Sequence, residues 1–191
     1  MKVKILITGS NGLLGQNLLE LFLKDPENYK VVGFSRGENR SGRTDFEYHA
    51  IDLTNQQLLE EKIKQIQPNF IINTAAMTNV DACENDKEGC YDLNVHVVEY
   101  LAAVCSEINA HLIHISTDFI YDGVKGNYTE EDIPNPLSYY GETKLLSEKR
   151  LQDSNINYTI LRTILVYGLV KDMSRNNIVL WVKESLENKK E

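Results

Sequence analysis

The feature that most constrains the fold is a short apolar strand that runs directly into a glycine-rich turn and then into an amphipathic helix. Val3, Ile5 and Ile7 form the strand, and beyond the turn apolar residues recur at helical spacing from Leu14 to Phe22. This order places backbone N–H groups and the positive end of a helix beside the end of a strand. Anionic groups bind well at such a position, because the first amides of a helix have no partner inside it.

Three glycines shape the turn, which reads Gly9-Ser10-Asn11-Gly12-Leu13-Leu14-Gly15. Gly9 allows the tight turn, Gly12 lets the backbone approach a phosphate, and Gly15 lets the helix pack on the strand. The spacing differs from the G-x-G-x-x-G fingerprint of dinucleotide-binding folds, and a glycine-rich turn can also be merely structural. Its place between a first strand and a first helix nevertheless predicts a cofactor site.

The rest of the chain alternates between apolar strands and amphipathic helices. Strands are predicted at residues 31–34, 46–51, 70–73, 111–116 and 158–163, and helices near residues 59–66, 97–108, 138–153 and 175–191. Such an alternation predicts an α/β fold, a doubly wound parallel sheet that forms a Rossmann-like NAD(P)-binding domain. We assign residues 1–170 to this domain and residues 171–191 to the start of a C-terminal substrate-binding part.

Composition limits the partners of this domain. The 191 residues carry a formal net charge of -8, so the long-range field repels nucleic acid and anionic lipid. No stretch is long and apolar enough for a signal peptide or a membrane span, which predicts a cytoplasmic protein. Cys83, Cys90 and Cys105 are an odd number without paired spacing, so we expect buried thiols rather than disulfides or a metal site.

The end of the second predicted strand bears on the choice of cofactor. An NAD site presents Asp or Glu to the ribose 2′-hydroxyl there, whereas this chain has Ser35-Arg36. A guanidinium can hold a 2′-phosphate with paired donors, which favours NADP, with NAD as the alternative. Asp52, which precedes Leu53 after the third strand, can either meet the adenine or cap the next helix.

A Tyr-x-x-x-Lys pair on a helix places a phenol and an ammonium on one face. The cation lowers the pKa of the phenol, which can then donate a proton to a carbonyl. So short a motif also arises by chance. It begins at Tyr121 in a predicted loop and at Tyr167 after a strand, whereas Tyr140 and Lys144 begin a helix. Context therefore selects Tyr140 and Lys144.

Thr117 is the third candidate, in Ser116-Thr117-Asp118 at the end of the fifth predicted strand. Ligands of parallel sheets bind at this carboxyl edge, where a hydroxyl can hydrogen-bond a substrate carbonyl. A threonine that ends a strand is a turn former at least as often as a catalyst.

Taken together, the motifs resemble those of the extended short-chain dehydrogenase/reductases, and within them the dTDP-4-dehydrorhamnose reductases. The segments concerned are the glycine-rich turn, Asn73-Thr74-Ala75-Ala76-Met77-Thr78-Asn79-Val80-Asp81, Leu93-Asn94-Val95, Ser116-Thr117-Asp118, Tyr140-Gly141-Glu142-Thr143-Lys144 and Leu161-Arg162-Thr163. The resemblance covers essentially the whole chain, as the N-terminal part of longer proteins. It implies that the sugar-binding C-terminal half is mostly absent from residues 1–191.

The resemblance also implies the site residues and the reaction. Thr117, Tyr140 and Lys144 would form the catalytic group. The cofactor would be lined by Gly9, Asn11, Gly12, Leu13, Asp52, Leu53, Ala75, Ala76 and Thr78. The implied reaction is the NADP-dependent reduction of a nucleotide-linked 4-keto-6-deoxysugar, with the isolated chain inactive.

Other functions stay open. The chain also resembles the regulatory β subunit of methionine adenosyltransferase, notably at residues 128–136, which would make it an NADP-binding partner of another enzyme. A nucleotide-sugar epimerase would keep its cofactor and return the hydride. Phe119 stands where the reductases often have Tyr, and Leu165 where they have Trp, so the sugar is not identified. The apolar face of the last helix leaves a homodimer open.

Overall fold

The computed structural model describes residues 2–172 and 177–188. Its strands are β1 (Val3–Thr8), β2 (Tyr29–Ser35), β3 (Glu47–Ala50), β4 (Phe70–Asn73), β5 (His111–Thr117) and β6 (Tyr158–Thr163). Its helices are α1 (Leu13–Phe22), α2 (Gln56–Ile66), α3 (Val80–Asn85), α4 (Lys87–Tyr91), α5 (Val97–Ile108), α6 (Tyr139–Gln152) and α7 (Ile178–Glu187). The alternation predicted from the sequence is therefore present.

The six strands form one parallel sheet in the order β3-β2-β1-β4-β5-β6. Every pair of neighbours is parallel; for example, Ile5 of β1 lies beside Val31 of β2 on one side and Phe70 of β4 on the other. This confirms the doubly wound α/β fold. The strand order reverses beside β1, so the carboxyl ends of β1 and β4 border the crevice where ligands of such sheets bind.

Side chains of β1 alternate between two apolar layers, as a strand covered on both faces requires. Leu6 packs into the larger layer with residues of α2 and α5, including Leu59 and Leu101. Ile5 and Ile7 pack into the smaller layer against α1. These two apolar layers hold the helices against both faces of the sheet and so fix the positions of the residues that border the crevice.

One helical region differs from the predicted pattern. The helix that carries residues 97–108 is extended toward the N-terminus by α4 and a π-helical turn at Asp92–His96, and α3 precedes it as a separate helix. Such a turn inserts an extra residue, which shifts the helical phase and often marks a functional site. The predicted start of the last helix at residue 175 and its end at residues 189–191 lie outside the described residues.

The described helices and cysteines agree with the composition. No helix within residues 2–172 and 177–188 combines the length and the apolar character needed to cross a membrane. The three cysteines are free thiols with buried side chains, as expected. On α7, Val179, Trp181 and Leu186 are exposed.

Candidate functional site

The carboxyl ends of the central strands open onto a cleft of about 1100 Å³. Nine of the residues predicted for the site line this cleft: Gly12, Leu13, Arg36, Asp52, Ala76, Thr78, Thr117, Tyr140 and Lys144. Six others do not line it: Gly9, Asn11, Gly15, Ser35, Leu53 and Ala75. The structure thus brings the predicted catalytic group and the predicted phosphate-binding turn to one cavity.

The first turn of α1 is suited to an anionic ligand. Gly12 occupies the N-cap position and supplies no side-chain hydrogen bond. By contrast, α2, α3, α4, α6 and α7 each begin with a side chain that accepts a hydrogen bond from the first turn, namely Asn55, Asn79, Asp86, Ser138 and Asn177. The first amides of α1 therefore face the cleft without a cap, and a phosphate fits their charge and geometry.

Gly9 and Gly15 shape this turn from below rather than contacting the cleft. Gly9 has a φ of +69°, a conformation that favours glycine. A Cβ on Gly15 would lie 2.3 Å from the carbonyl oxygen of Gly9, so only glycine lets α1 approach the strand this closely. Their contact with a cofactor stays a prediction.

Asn11 and Ser35 hold the loop that follows β2. The backbone amide of Asn11 donates to Ser35 Oγ at 3.0 Å, and Asn11 Nδ2 donates to the carbonyl oxygen of Glu38 at 2.8 Å. Asn11 Oδ1 accepts from the amide of Arg40 at 3.0 Å. Both side chains are therefore occupied within the protein, and they leave the exposed Arg36 at the cleft. The structure thus shows that Asn11 and Ser35 support this loop, and their contact with a cofactor stays a prediction.

The segment after β3 resolves the two readings of Asp52. Asn55 caps α2, because its Oδ1 accepts from the amide of Leu58 at 3.1 Å. Asp52 instead accepts from the amide and hydroxyl of Thr54, at 3.1 and 2.8 Å. The capping role for Asp52 is therefore wrong, and the residue lines the cleft. The side chain of Leu53 is buried in the larger core layer, which Ala75 also contacts.

Thr117 and Tyr140 approach each other across the cleft floor. The Thr117 side chain accepts a hydrogen bond from the amide of Phe119 at 3.2 Å, which starts the short 3₁₀ turn after β5. The ring of Tyr140 meets the ring of Phe119 edge to face, with centroids 5.8 Å apart. Burial raises the pKa of Tyr140, and the nearby Thr117 hydroxyl opposes that rise. The phenol is therefore a proton donor at neutral pH.

Lys144 lies one helical turn after Tyr140 on α6 and is almost fully buried, at 1% exposure. Its Nζ donates to the carbonyl oxygen of Ile115 at 2.8 Å and lies 3.0 Å from His114 Nε2. Burial lowers the pKa of Lys144 to about 7, against an opposing effect of the Glu148 carboxylate. The lysine can therefore change its charge near neutral pH, which its sequence motif does not reveal.

This burial predicts a pH-dependent contribution to stability. The unfolded chain keeps a proton on Lys144 up to its ordinary pKa of 10.5, whereas the folded protein releases it near 7. Between these values the unfolded state binds more protons, so the free energy of unfolding gains up to about 1.4 kcal/mol per pH unit as pH rises. Urea unfolding at pH 7, 8 and 9 should show this gain in the wild type and not in Lys144→Met. If the free energy of unfolding changed equally with pH in the two proteins, this prediction would be wrong.

Three buried polar residues support the site, and the sequence analysis assigned none of them a catalytic or binding role. Asn94, on the π turn, accepts from the amide of Met77 at 2.8 Å and donates to Thr143 Oγ1 at 3.1 Å, so it ties the loop after β4 to α6. His114 contacts Lys144 from β5. Glu148 accepts from Arg162. For His114 the available signal was a polar residue within the largely apolar strand β5.

Residues 3–191 match the protein family described as RmlD substrate binding domain. The chain belongs to this family. Within the part of the chain that the structure describes, no group of His, Cys, Asp and Glu side chains is arranged to hold a metal ion.

Relatives of this RmlD-family chain carry different names. It is 35% identical over 187 residues to methionine adenosyltransferase 2 subunit beta of Bos taurus, which covers 97% of this chain and 54% of the relative. It is 37% identical over 166 residues to dTDP-4-dehydrorhamnose reductase of Aggregatibacter actinomycetemcomitans. This match covers 86% of this chain and 52% of the relative. The chain thus spans about half the length of these relatives.

A solved structure of a dTDP-4-dehydrorhamnose reductase has the same fold as this chain. The structure of dTDP-4-dehydrorhamnose reductase from Bacillus anthracis in complex with NADP aligns with a TM-score of 0.83 at 28% identity. The alignment covers 98% of this chain and 61% of that one.

Proposed function

We propose that this chain is the cofactor-binding and catalytic half of an NADP-dependent reductase of a nucleotide-linked 4-keto-6-deoxysugar. The observation that carries the proposal is the meeting of Thr117, Tyr140 and Lys144 with an uncapped glycine turn in one cleft. The similarity to dTDP-4-dehydrorhamnose reductase of Aggregatibacter actinomycetemcomitans supports the same function.

NADPH supplies the hydride when it is bound in the cleft. Tyr140 donates a proton to the carbonyl oxygen of the sugar as that oxygen gains negative charge, because the phenol stays protonated at neutral pH. The Thr117 hydroxyl holds the same oxygen. Lys144, in its charged form, binds the cofactor ribose and stabilises the phenolate that is left on Tyr140. Burial of Tyr140 and the cover from Phe119 limit competing water.

The proposal predicts a preference for NADP(H). Arg36 lines the cleft just after β2, and its sequence neighbours Ser35 and Gly37 have no carboxylate to accept a hydrogen bond from a ribose 2′-hydroxyl. Hydrogen bonds to charged groups contribute about 1.5–3 kcal/mol, so Arg36→Ala should weaken NADPH binding by about 10–100-fold and leave NADH binding unchanged. Fluorescence titration of both cofactors measures this.

Arg43→Ala is the matched control, because Arg43 is paired with Glu20 and Asp45 rather than placed at the cleft. This variant should keep the wild-type preference. A wild type that prefers NADH, or an Arg36→Ala variant with unchanged preference, would show that the guanidinium is not at the 2′-phosphate.

The direct test of the reaction is NADPH oxidation by the full-length gene product with a dTDP-4-keto-6-deoxysugar. Absorbance at the reduced nicotinamide band should fall only when both substrates are present. Residues 1–191 alone should bind NADPH without turnover, since the relatives carry about as much chain again. Turnover of the isolated residues at a rate close to that of the full-length product would contradict the proposed division of labour.

The second candidate function is an NADP-binding regulatory subunit. Its support is the match to methionine adenosyltransferase 2 subunit beta, which covers 97% of this chain. In that case the full-length product should bind a methionine adenosyltransferase catalytic subunit and should not oxidise NADPH with any keto sugar. An epimerase, the third candidate, would purify with tightly held NAD.

A further inference from the structure

A network of buried polar side chains, which includes Lys144, connects the centre of the sheet to α6. Its members are Thr8, Asn73, His114, Lys144 and Ser147, each at most 1% exposed. Thr8 Oγ1 donates to Asn73 Oδ1 at 2.6 Å, and Asn73 Nδ2 lies 3.2 Å from His114 Nδ1. The other ring nitrogen, Nε2, lies 3.0 Å from Lys144 Nζ and 3.1 Å from Ser147 Oγ. The catalytic helix is thus joined to the middle of the sheet.

The hydrogens on Lys144 can be accounted for one by one. A charged lysine has three N–H donors and no acceptor. One donor meets the Ile115 carbonyl oxygen at 2.8 Å, and a second can meet His114 Nε2, 3.0 Å away, when that nitrogen carries no hydrogen. Ser147 gives its own hydroxyl hydrogen to the carbonyl oxygen of Lys144 at 2.7 Å. The third donor of Lys144 is left for the cleft, which this residue lines.

We propose that His114 is a positioning residue for Lys144: together with the Ile115 carbonyl, its ring holds two ammonium hydrogens and so directs the third into the cofactor cleft. The inference rests on the proposed function in one respect, namely that the third hydrogen contacts the ribose of the cofactor. His114 itself lies below Lys144 and does not line the cleft.

The ring can accept from a charged Lys144 only if its own hydrogen is on Nδ1. That hydrogen needs an acceptor. The Oδ1 atom of Asn73 supplies one when the side-chain amide rotates by 180°, and the amide can rotate because its oxygen and nitrogen ends have nearly the same shape. Nδ2 of Asn73 then donates to the Thr8 hydroxyl. With Asn73 Nδ2 facing Nδ1, as in this structure, the ring carries its hydrogen on Nε2 and can donate it to an uncharged amine or to the Ser147 hydroxyl oxygen, which lies 3.1 Å away. The tautomer of His114 therefore follows the charge of Lys144.

The surroundings identify Lys144 as the group that titrates. It is faced by His114 from β5, by Tyr140 and Glu148 on its own helix, and by Cys90 from α4. Burial lowers the pKa of Lys144 to about 7, while Glu148 and Cys90 act to raise it. Burial and the nearby Lys144 hold the pKa of His114 well below its ordinary value of 6.5. The ring is therefore neutral throughout, and only its tautomer changes.

The test is nuclear magnetic resonance of the ligand-free chain labelled at lysine Cε with carbon-13 and at the histidine rings with nitrogen-15. In the wild type, one lysine should titrate near pH 7. His114 should carry its hydrogen on Nδ1 below that midpoint and on Nε2 above it. The other histidines, His49, His96 and His111, are partly exposed and serve as internal references.

Two variants separate positioning from packing. His114→Leu fills the space without an acceptor for the ammonium, so the Lys144 midpoint should fall by at least about one pH unit, a tenfold change in the ionisation constant. His114→Gln keeps an acceptor near the position of Nε2, and its midpoint should stay within about half a unit of the wild type. The NADPH dissociation constant, measured from pH 6 to pH 9, should shift in parallel.

A single His114 tautomer across the whole pH range would overturn the proposal, and so would a His114→Leu midpoint equal to that of the wild type. If His114→Leu does not fold, the nitrogen-15 spectrum of the wild type still decides. Failure of the proposed function looks different: the full-length product would not oxidise NADPH with a keto sugar, while the coupled lysine and histidine titrations would persist in the free protein.

Discussion

Replacing Tyr140 with phenylalanine in the full-length gene product is expected to lower kcat for NADPH-dependent sugar reduction by about 10²–10⁴-fold, the usual contribution of a positioned general acid. Phenylalanine keeps the ring and its edge-to-face contact with Phe119. It loses only the hydroxyl that gives the proton. The NADPH dissociation constant should therefore change by less than about twofold, and steady-state kinetics together with fluorescence titration measure the two effects.

Tyr167→Phe is the matched control, because Tyr167 begins another Tyr-x-x-x-Lys match but is 68% exposed in a loop. It should keep wild-type kcat. Tyr121 is a poorer control, since its hydroxyl accepts from Arg162 and donates to the carbonyl oxygen of Thr129. Loss of turnover in Tyr167→Phe with activity retained in Tyr140→Phe would show that the helical pair is not the catalytic one.

Replacing Arg162 with leucine is expected to lower the free energy of unfolding by about 3–5 kcal/mol, the cost of leaving one charge of a buried pair alone. Glu148 is 1% exposed and accepts from Arg162 Nη2 at 2.7 Å, while the Ser116 hydroxyl also donates to it. Without the guanidinium the buried Glu148 carboxylate loses the charged group that it hydrogen-bonds. For a domain of this size the melting temperature should fall by roughly 6–20 °C.

The double variant Glu148→Leu/Arg162→Leu is the control that isolates the uncompensated charge. Replacing both partners with apolar side chains is often close to neutral, so the double variant should recover most of the stability that Arg162→Leu loses. Denaturation followed by circular dichroism in urea measures all four proteins of this cycle. A double variant no more stable than Arg162→Leu would mean that packing, and not the buried charge, accounts for the loss.

The ion pair also bears on the site. Arg162 reaches from β6 to the hydroxyl of Tyr121 at 2.7 Å, at the start of the long loop that leads to α6. Glu148 lies one helical turn after Lys144. Breaking the pair should therefore loosen both the loop and the helix that carries Tyr140, so the stability loss would come with a higher KM for the sugar nucleotide.

The sequence by itself determined the local elements and their order. Period-two and period-3.6 patterns are properties of neighbouring residues, so β1, α1 and α6 could be predicted, and Ser138 marks the start of α6 as a side-chain cap. The glycine spacing predicted the turn at Gly9 to Gly15 because the need for a missing Cβ is local as well. The π-helical turn between α4 and α5 was not predictable, since one inserted residue alters no composition.

Only the tertiary structure decided which predicted site residues touch the cleft and what charge they carry there. Asn11 looked like a ligand-binding residue, yet its side chain is taken by a loop more than twenty residues away. Lys144 looked like an ordinary ammonium, yet it is buried beside His114, from a strand thirty residues earlier. Ionisation depends on solvent exclusion and on neighbours brought together by folding, and no spacing along a chain specifies either.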